Sequence, residues 1–471
     1  RDRSPSRGLG DVYKRQVYYP YILRTFGKRG SGILSEKTEN ELTDCLLGFR
    51  YWIDEPGNDA MWFWSENHAL MFHTCQLLAG ELFPDEVFTN SGLTGRQMQA
   101  KAKNMLYDWF VTFRKEGFTE WNSSPYLPID TLGFGSLYAF AQDPAMRELG
   151  REGMDFAYYL LAVHSQQGIF ASSSGRTYIK EQFGNWSNCP SGLSWIGYGY
   201  GVPGHAGKGI TSYCLSDYEP PKEFAQWFSI PRGKEMICQT TQGNDGYVDL
   251  YTYKTADYMM TSANDFHPGE PGHQENPFQL TFNAVAQLWV THPGERVLFG
   301  AARPSYWAGN GTLPKVNQYK AFAGLIYDIA PEHPVDFTHL YLPSMEFDRC
   351  EVEGKWAFVQ LGSAYAAVYC SNGMRMQDFG SNKDRECIAE GRRCIWLVRA
   401  AQADEFAAFE DFKAAMRGAA LDADAEGRRY RFVDPVYGEL RCQWGETLYV
   451  NDAPMQYSGF DNYGKLTMQE K

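Results

Sequence analysis

The stretch Trp62-Phe63-Trp64-Ser65-Glu66-Asn67-His68-Ala69-Leu70-Met71-Phe72-His73 decides how the first half of the chain is read. Two tryptophans run into a segment whose apolar positions, Leu70, Met71, Cys75, Leu77 and Leu78, recur at helical spacing. Ser65 takes the N-cap position, where its hydroxyl would accept from a backbone N–H two or three residues on. Glu66, Asn67 and His68 then occupy the first turn, at the positive end of the helix dipole. An anion, or an oxygen gaining negative charge, is best received there. The plainer alternative is that these are ordinary first-turn residues beside a satisfied, half-buried histidine.

Working outward, the helical pattern extends from about Val17 to about Phe228. Leu34 to Phe49 reads as one helix, and Ser65 to Leu82 as the next, stopped by Phe83-Pro84. Thr94-Gly95-Arg96-Gln97 is a capping-box signal that opens a helix carrying Met98, Ala102, Met105, Leu106, Trp109 and Phe113 on one face. Leu127 to Ala141 is another helix, preceded by the loop Glu120-Trp121-Asn122-Ser123-Ser124-Pro125-Tyr126. Asp143-Pro144 supplies an N-cap and a first-turn proline for a helix running to about His164. From Ile169 to Gly209 the texture turns to Gly, Ser, Tyr and Trp. The segment Gly199 to Gly209 is no phosphate loop, because Val202 stands where a glycine is needed and Gly209 replaces the magnesium-binding Ser/Thr. A long loop of this kind is more often a functional lining than a linker.

After about Ser229 the period switches to two. Tyr247 to Tyr253, Phe278 to Trp289, Tyr319 to Ile329, Trp356 to Leu361, Tyr365 to Cys370 and Cys394 to Val398 read as strands between Gly/Pro/Asn turns, interrupted by an acidic helix from Asp404 to Met416. Helices followed by strands imply separate layers or domains, hence an α+β multidomain chain. The expected division is residues 17–228 as the helical domain and residues 229–471 as an antiparallel β-sandwich. Residues 1–16 have no initiator Met and no apolar pattern. They resemble a translated sequencing-adapter peptide, so the natural N-terminus is expected to be missing.

The formal net charge of −13 and the absence of a Lys/Arg run argue against nucleic acid as a partner. No apolar run approaches the length of a membrane span. Ten cysteines are scattered without zinc spacing or a disulfide framework, and most read as buried free thiols. The aromatic content of 15% suits a carbohydrate cleft, where sugar C–H faces stack on flat rings, and equally suits a large core.

Helical hairpins before a many-stranded half, Asn67-His68 on an early helix and the later loop Gly175-Arg176-Thr177-Tyr178 together resemble the toroid-plus-sandwich polysaccharide lyases, the heparinase II/III-like and chondroitin/hyaluronate lyase families. Asp257-Tyr258-Met259-Met260, the run from Asp265 to Gln274, and Trp307-Ala308-Gly309-Asn310 are similar to the segment those enzymes turn toward the cleft. The resemblance implies an (α/α) toroid, incomplete here because the pattern supplies too few helices. It also implies a secreted or periplasmic enzyme that cleaves a uronic-acid-containing polysaccharide by β-elimination.

That chemistry removes the proton at C5 beside a carboxylate and expels the 4-linked sugar, so hydrogen-bond donors must be fixed where enolate-like charge develops. On the resemblance, Asn67 neutralises the carboxylate with help from His68. Tyr178 moves the proton, and Arg176 lowers its pKa and pairs with the substrate. His205 and His273 compete as the second base or as donors to the carboxylate. Trp62, Trp64, Glu66, Trp121, Lys208, Gln274, Trp307 and Asn310 are expected to contact substrate. With so acidic a chain, Arg176, Lys180, Lys208 and Arg303 must supply a local positive patch. No cofactor is expected. His267 and His273, with Asp265, Glu270 and Glu275, would be the place for a structural metal, against a Pro/Gly-rich turn with incidental histidines. Two alternatives stay open. One is a glycoside hydrolase with paired carboxylates drawn from Asp59, Glu66, Glu120 and Asp130; the other is a non-catalytic glycan-binding protein.

Overall fold

The computed structural model describes residues 16–58, 61–183, 188–201, 203, 209–243 and 247–471. Residues 1–15, Asp59, His205 and Lys208 lie outside the described residues. The architecture is α+β: an N-terminal helical region followed by several antiparallel sheets. The chain divides into two compact units. One comprises Arg1–Lys115, Tyr126–Tyr158 and Gly207–Pro221; the other comprises Glu116–Pro125, Tyr159–Ala206 and Lys222–Lys471.

In the first unit the helices are α1 (Tyr18–Phe26), α2 (Glu36–Leu47), α3 (Glu66–Leu82), α4 (Gly95–Glu116), α5 (Leu127–Phe140) and α6 (Pro144–Val163), of which α4 and α6 run on into the second unit. The capping box at α4 forms as the spacing predicts. Thr94 N donates to Gln97 Oε1 at 2.9 Å and Gln97 N to Thr94 Oγ1 at 3.4 Å. At α6 the Asp143 carboxylate accepts from Ala145 N at 2.9 Å, which fixes the start beside Pro144. Helix α5 lies directly against α3 because Gly133 has no side chain. A Cβ there would stand 2.8 Å from Leu70 Cγ. Phe63, Met71, Phe72, Ile129 and Leu132 fill the seam between these helices.

The second unit contains a nine-stranded and a six-stranded antiparallel sheet among the described residues. Tyr251, Met260, Phe278 and Leu280 from the first and Leu325, Ile326, Val368 and Trp396 from the second belong to one apolar core. One expected strand is a hairpin instead. Phe278 to Trp289 breaks into Phe278–Thr281 and Gln287–Thr291, because Asn283 Oδ1 accepts from the backbone N–H of Val285 and Ala286 and closes a turn. The strand expected over Tyr319 to Ile329 forms over Phe322–Asp328, and a turn at Lys320, whose φ is 48°, pairs it with Lys315–Tyr319. The acidic helix begins later than expected, at Phe409–Gly418.

Arg399 is buried in this unit between Asp434, 2.7 Å from its Nε, and Glu405, 2.7 Å from its Nη2. Such a triad stabilises only as a set, since removing one member leaves an uncompensated buried charge. Arg399→Met is therefore expected to lower unfolding stability by about 3–5 kcal/mol in urea titration.

Three buried histidines set the acid limit. Burial pushes His73, His164 and His292 down to about 3, with nearby cations acting in the same direction. Each stays neutral in the folded chain while an unfolded histidine protonates near 6.5. Below that pH the unfolded state binds more protons, so stability is fully present above about pH 6.5 and falls as the pH drops toward 3. The thermal midpoint is expected to decline steadily over this window, and His164→Gln to flatten the slope.

Candidate active site

Among the sequence-derived residues, Arg176, Tyr178, His273 and Gln274 are brought together within the second unit, along with Glu120 and Trp121. The scaffold is a seam of backbone hydrogen bonds. Ser174 N donates to Asn276 O at 2.8 Å and Asn276 N returns to Ser174 O at 2.7 Å. Thr177 N donates to Gln274 O at 3.0 Å, and the Gln274 side-chain amide donates to Thr177 O at 3.0 Å. On the other side, Gly175 N donates to Trp121 O at 2.8 Å, and Ser123 Oγ donates to Arg176 O at 3.1 Å. The loop carrying Arg176 and Tyr178 is thus held between two segments remote from it in sequence.

Arg176 is the hub. Its Nε lies 3.6 Å from Glu120 Oε1, and its guanidinium carbon sits 5.8 Å from the centre of the Tyr178 ring. Burial pushes the Glu120 carboxyl upward, while Arg176 pulls it back. The His273 imidazole is held below its ordinary range by desolvation and by the positive charges of Arg176 and Arg303, with Glu275 opposing. Two guanidinium groups therefore act on one exposed imidazole that is neutral at pH 7. Lys180 adds little to this patch because it is paired with Glu181 at 2.9 Å.

Asn122 is the residue the sequence argument passed over. It is 3% exposed, its φ is 48°, and neither amide atom has a hydrogen-bond partner among the described residues. It lines a small cavity with Ser124, Ser174, Thr177, Glu181, Gln182 and Asn276. A buried, unpartnered amide on a left-handed backbone is a costly arrangement, and such costs concentrate at functional sites. The usable signal was the local run Trp121-Asn122-Ser123-Ser124-Pro125, a non-helical gap between two strong helices.

Several expected contacts have other tasks. Trp121 is 1% exposed and packs edge-on against Phe266 at 5.5 Å, and Trp307 is 1% exposed with His339 stacked on it at 4.0 Å. Neither ring has a face left for a sugar. Asn310 Oδ1 accepts from His292 N and Tyr327 OH, and its Nδ2 donates to Glu275 O, so its amide braces the fold. Gln274 is likewise occupied by the seam. Among the described residues, no group of three or more His, Cys, Asp or Glu is placed to hold a metal ion. The His267 turn is braced by backbone instead, with Gly269 N donating to Leu313 O and Leu313 N to Glu270 O.

Asn67, His68, Glu66, Trp62 and Trp64 belong to the first unit. Ser65 stands at the N-cap of α3, but its hydroxyl pairs with His68 Nδ1 rather than with a backbone N–H. Asn67 is buried, and its Oδ1 has no hydrogen-bond partner among the described residues. Trp109 Nε1 donates to the Glu66 carbonyl at 3.2 Å. Trp62 and Trp64 are 58% and 66% exposed, with ring centres 5.3 Å apart.

No protein-family model matches the chain, and no curated protein matches its sequence. Solved structures do match. One described as a heparinase III gene product is similar over 98% of this chain and 74% of its own length, at 10% identity and a TM-score of 0.39.

The seam tolerates little at Gly175, where a Cβ would lie 2.7 Å from Trp121 Nε1. Gly175→Ala is expected to cost about 1–3 kcal/mol through overpacking, read as a lowered thermal midpoint.

Proposed function

We propose that the chain is a polysaccharide lyase that cleaves a uronic-acid-containing polymer by β-elimination, with Asn122, Arg176, Tyr178 and His273 as its reacting group. One observation carries the reading: a guanidinium, a phenol and a neutral imidazole gather on one seam, beside a buried amide with no partner of its own. The resemblance in the Gly175-Arg176-Thr177-Tyr178 loop supports it independently. Asn122, which shares the seam with Tyr178, is the amide assigned to this group.

The steps follow from the chemistry of each side chain. Arg176 pairs with the substrate carboxylate, and the Asn122 amide donates to the oxygen that gains charge as C5 is deprotonated. His273, neutral through desolvation and its two cationic neighbours, accepts the C5 proton. The C5–H electron pair becomes the C4=C5 bond as the C4–O4 bond breaks. Tyr178 gives its phenolic proton to the departing O4. No external oxidant or reductant is required.

A hydrolase reading rests on the raised Glu120 carboxyl, which resembles a general acid. The glycan-binding reading draws less support, because Trp121 and Trp307 are core residues.

Incubation with uronate polymers tests the proposal. A lyase releases a product with an unsaturated ring that absorbs in the near ultraviolet. Tyr178→Phe and Asn122→Ala are each expected to reduce kcat/KM by at least about 10²-fold, while Glu120→Gln retains turnover. Product without this absorbance, together with activity abolished by Glu120→Gln, would replace elimination by hydrolysis.

The pH profile gives a further check. With His273 as base, activity falls on the acid side as the imidazole protonates, at a pH below the ordinary histidine value. Arg303→Gln removes one charge that depresses this pKa, so the acid limb is expected to move to higher pH.

A further inference from the structure

A second pocket opens in the same unit, beyond the short helix Ile179–Gln182 that follows Tyr178. It encloses about 260 Å³ and is lined by Phe183, Val285, Tyr341, Pro343, Met345, Glu346 and Arg385. Two aromatic rings form one wall. The Phe183 and Tyr341 centroids lie 5.1 Å apart, and Tyr341 is itself stacked on Trp289 at 4.0 Å, which fixes its orientation. The residue that stands out is Arg385. Its Nε is buried, and its guanidinium has no hydrogen-bond or ion-pair partner among the described residues. Glu346 lines the same pocket without pairing with it. In a chain of formal net charge −13, where most guanidiniums of this unit are matched to carboxylates, an unmatched one facing a cavity is unusual.

We propose that this pocket is a subsite for a carboxylate-bearing sugar ring, a second uronate unit of the polymer. A guanidinium presents a planar pair of donors that matches a carboxylate. Half-buried Phe183 offers flat apolar surface to the C–H face of a pyranose, with Tyr341 packed behind it. Glu346 provides an acceptor for its hydroxyls and disfavours a more highly charged anion. Phe183, which lines the pocket, is the residue that ends the one-turn helix following Tyr178, so the two share one short segment of chain. The identity of the ring rests on the polysaccharide reading above; the demand for a carboxylate rests on Arg385 alone.

The test separates the two. Binding of sodium glucuronate, glucose and benzoate to the full chain is measured by ligand-observed NMR and calorimetry. The proteins are wild type, Arg176→Gln, and Arg176→Gln combined with Arg385→Gln or Arg385→Lys, with thermal midpoints checking that each is folded. The Arg176→Gln background removes the carboxylate partner of the reacting group. Glucuronate is expected to bind in that background, to weaken about tenfold or more with Arg385→Gln, and to recover in part with Arg385→Lys; a tenfold change corresponds to about 1.4 kcal/mol. Glucose is expected not to bind. On an otherwise wild-type chain, Arg385→Gln should raise KM for the polymer with little change in kcat. Equal glucuronate affinity with and without Arg385, or Arg385-dependent binding of benzoate alone, overturns the subsite. Arg385-dependent glucuronate binding in a chain that yields no unsaturated product would uphold the subsite and discard the lyase.

Discussion

The reciprocal hydrogen bonds between Ser174 and Asn276 are the constraint on which the candidate site depends. They join a loop from the chain's middle to the run that leads into the Phe278–Thr281 strand, and the register they set is what brings Thr177 opposite Gln274. Once that register is fixed, Arg176 and Tyr178 follow by sequence, and His273 follows on the opposite side. A slip of one residue would send alternate side chains to the other face and scatter the group. The seam's outer side is closed by Trp121, whose burial against Phe266, Val248 and Leu250 anchors the loop to the sheet core. The Trp121 ring is the fixed post against which Gly175 is pressed.

Electrostatics in this region run against the charge of the whole chain. The long-range field of an acidic protein repels anions, and salt screens such fields within about 10 Å at ordinary ionic strength. An anion in this region would be held by cations at close quarters. Arg176 lies 3.6 Å from Glu120, whose own carboxyl is pushed upward by burial and pulled back by the guanidinium. Arg303 adds a second positive charge on His273. Desolvation and these two positive charges together hold the imidazole below its ordinary range, so the cations that would attract an anion also favour the neutral ring.

How far this was legible in the sequence depended on whether the deciding interaction was local. The capping box at Thr94 and the Asp143-Pro144 start involve residues two or three apart, and both helices begin where the pattern places them. Strand periodicity found the alternating segments but not the hairpin inside Phe278 to Trp289, because an apolar run continues through a turn when both arms are buried. Asn283 made that turn, and its amide is the recognisable signature. Ser65 shows the limit of a local rule, since a histidine three residues on competed for the hydroxyl that would have capped the helix. Tryptophan was the least informative residue type: Trp62 and Trp64 are exposed, while Trp121 and Trp307 are buried, and nothing adjacent in sequence distinguishes them.

Asn122 escaped notice for a deeper physical reason. A helix N-terminus advertises a donor through its dipole, which drew attention to Asn67, whereas a loop amide acquires meaning only when distant segments enclose it. Burial removes water from both atoms of the Asn122 amide, and the surrounding side chains supply no replacement. Leaving such a group unsatisfied costs about 1–3 kcal/mol, and the left-handed backbone adds a penalty of its own. Hydrophobic packing of Trp121 on one side and the bonds of Ser123 on the other hold the residue in place despite that cost. The amide therefore stands dehydrated and oriented against its cavity wall, with its hydrogen-bonding capacity unspent among the described residues.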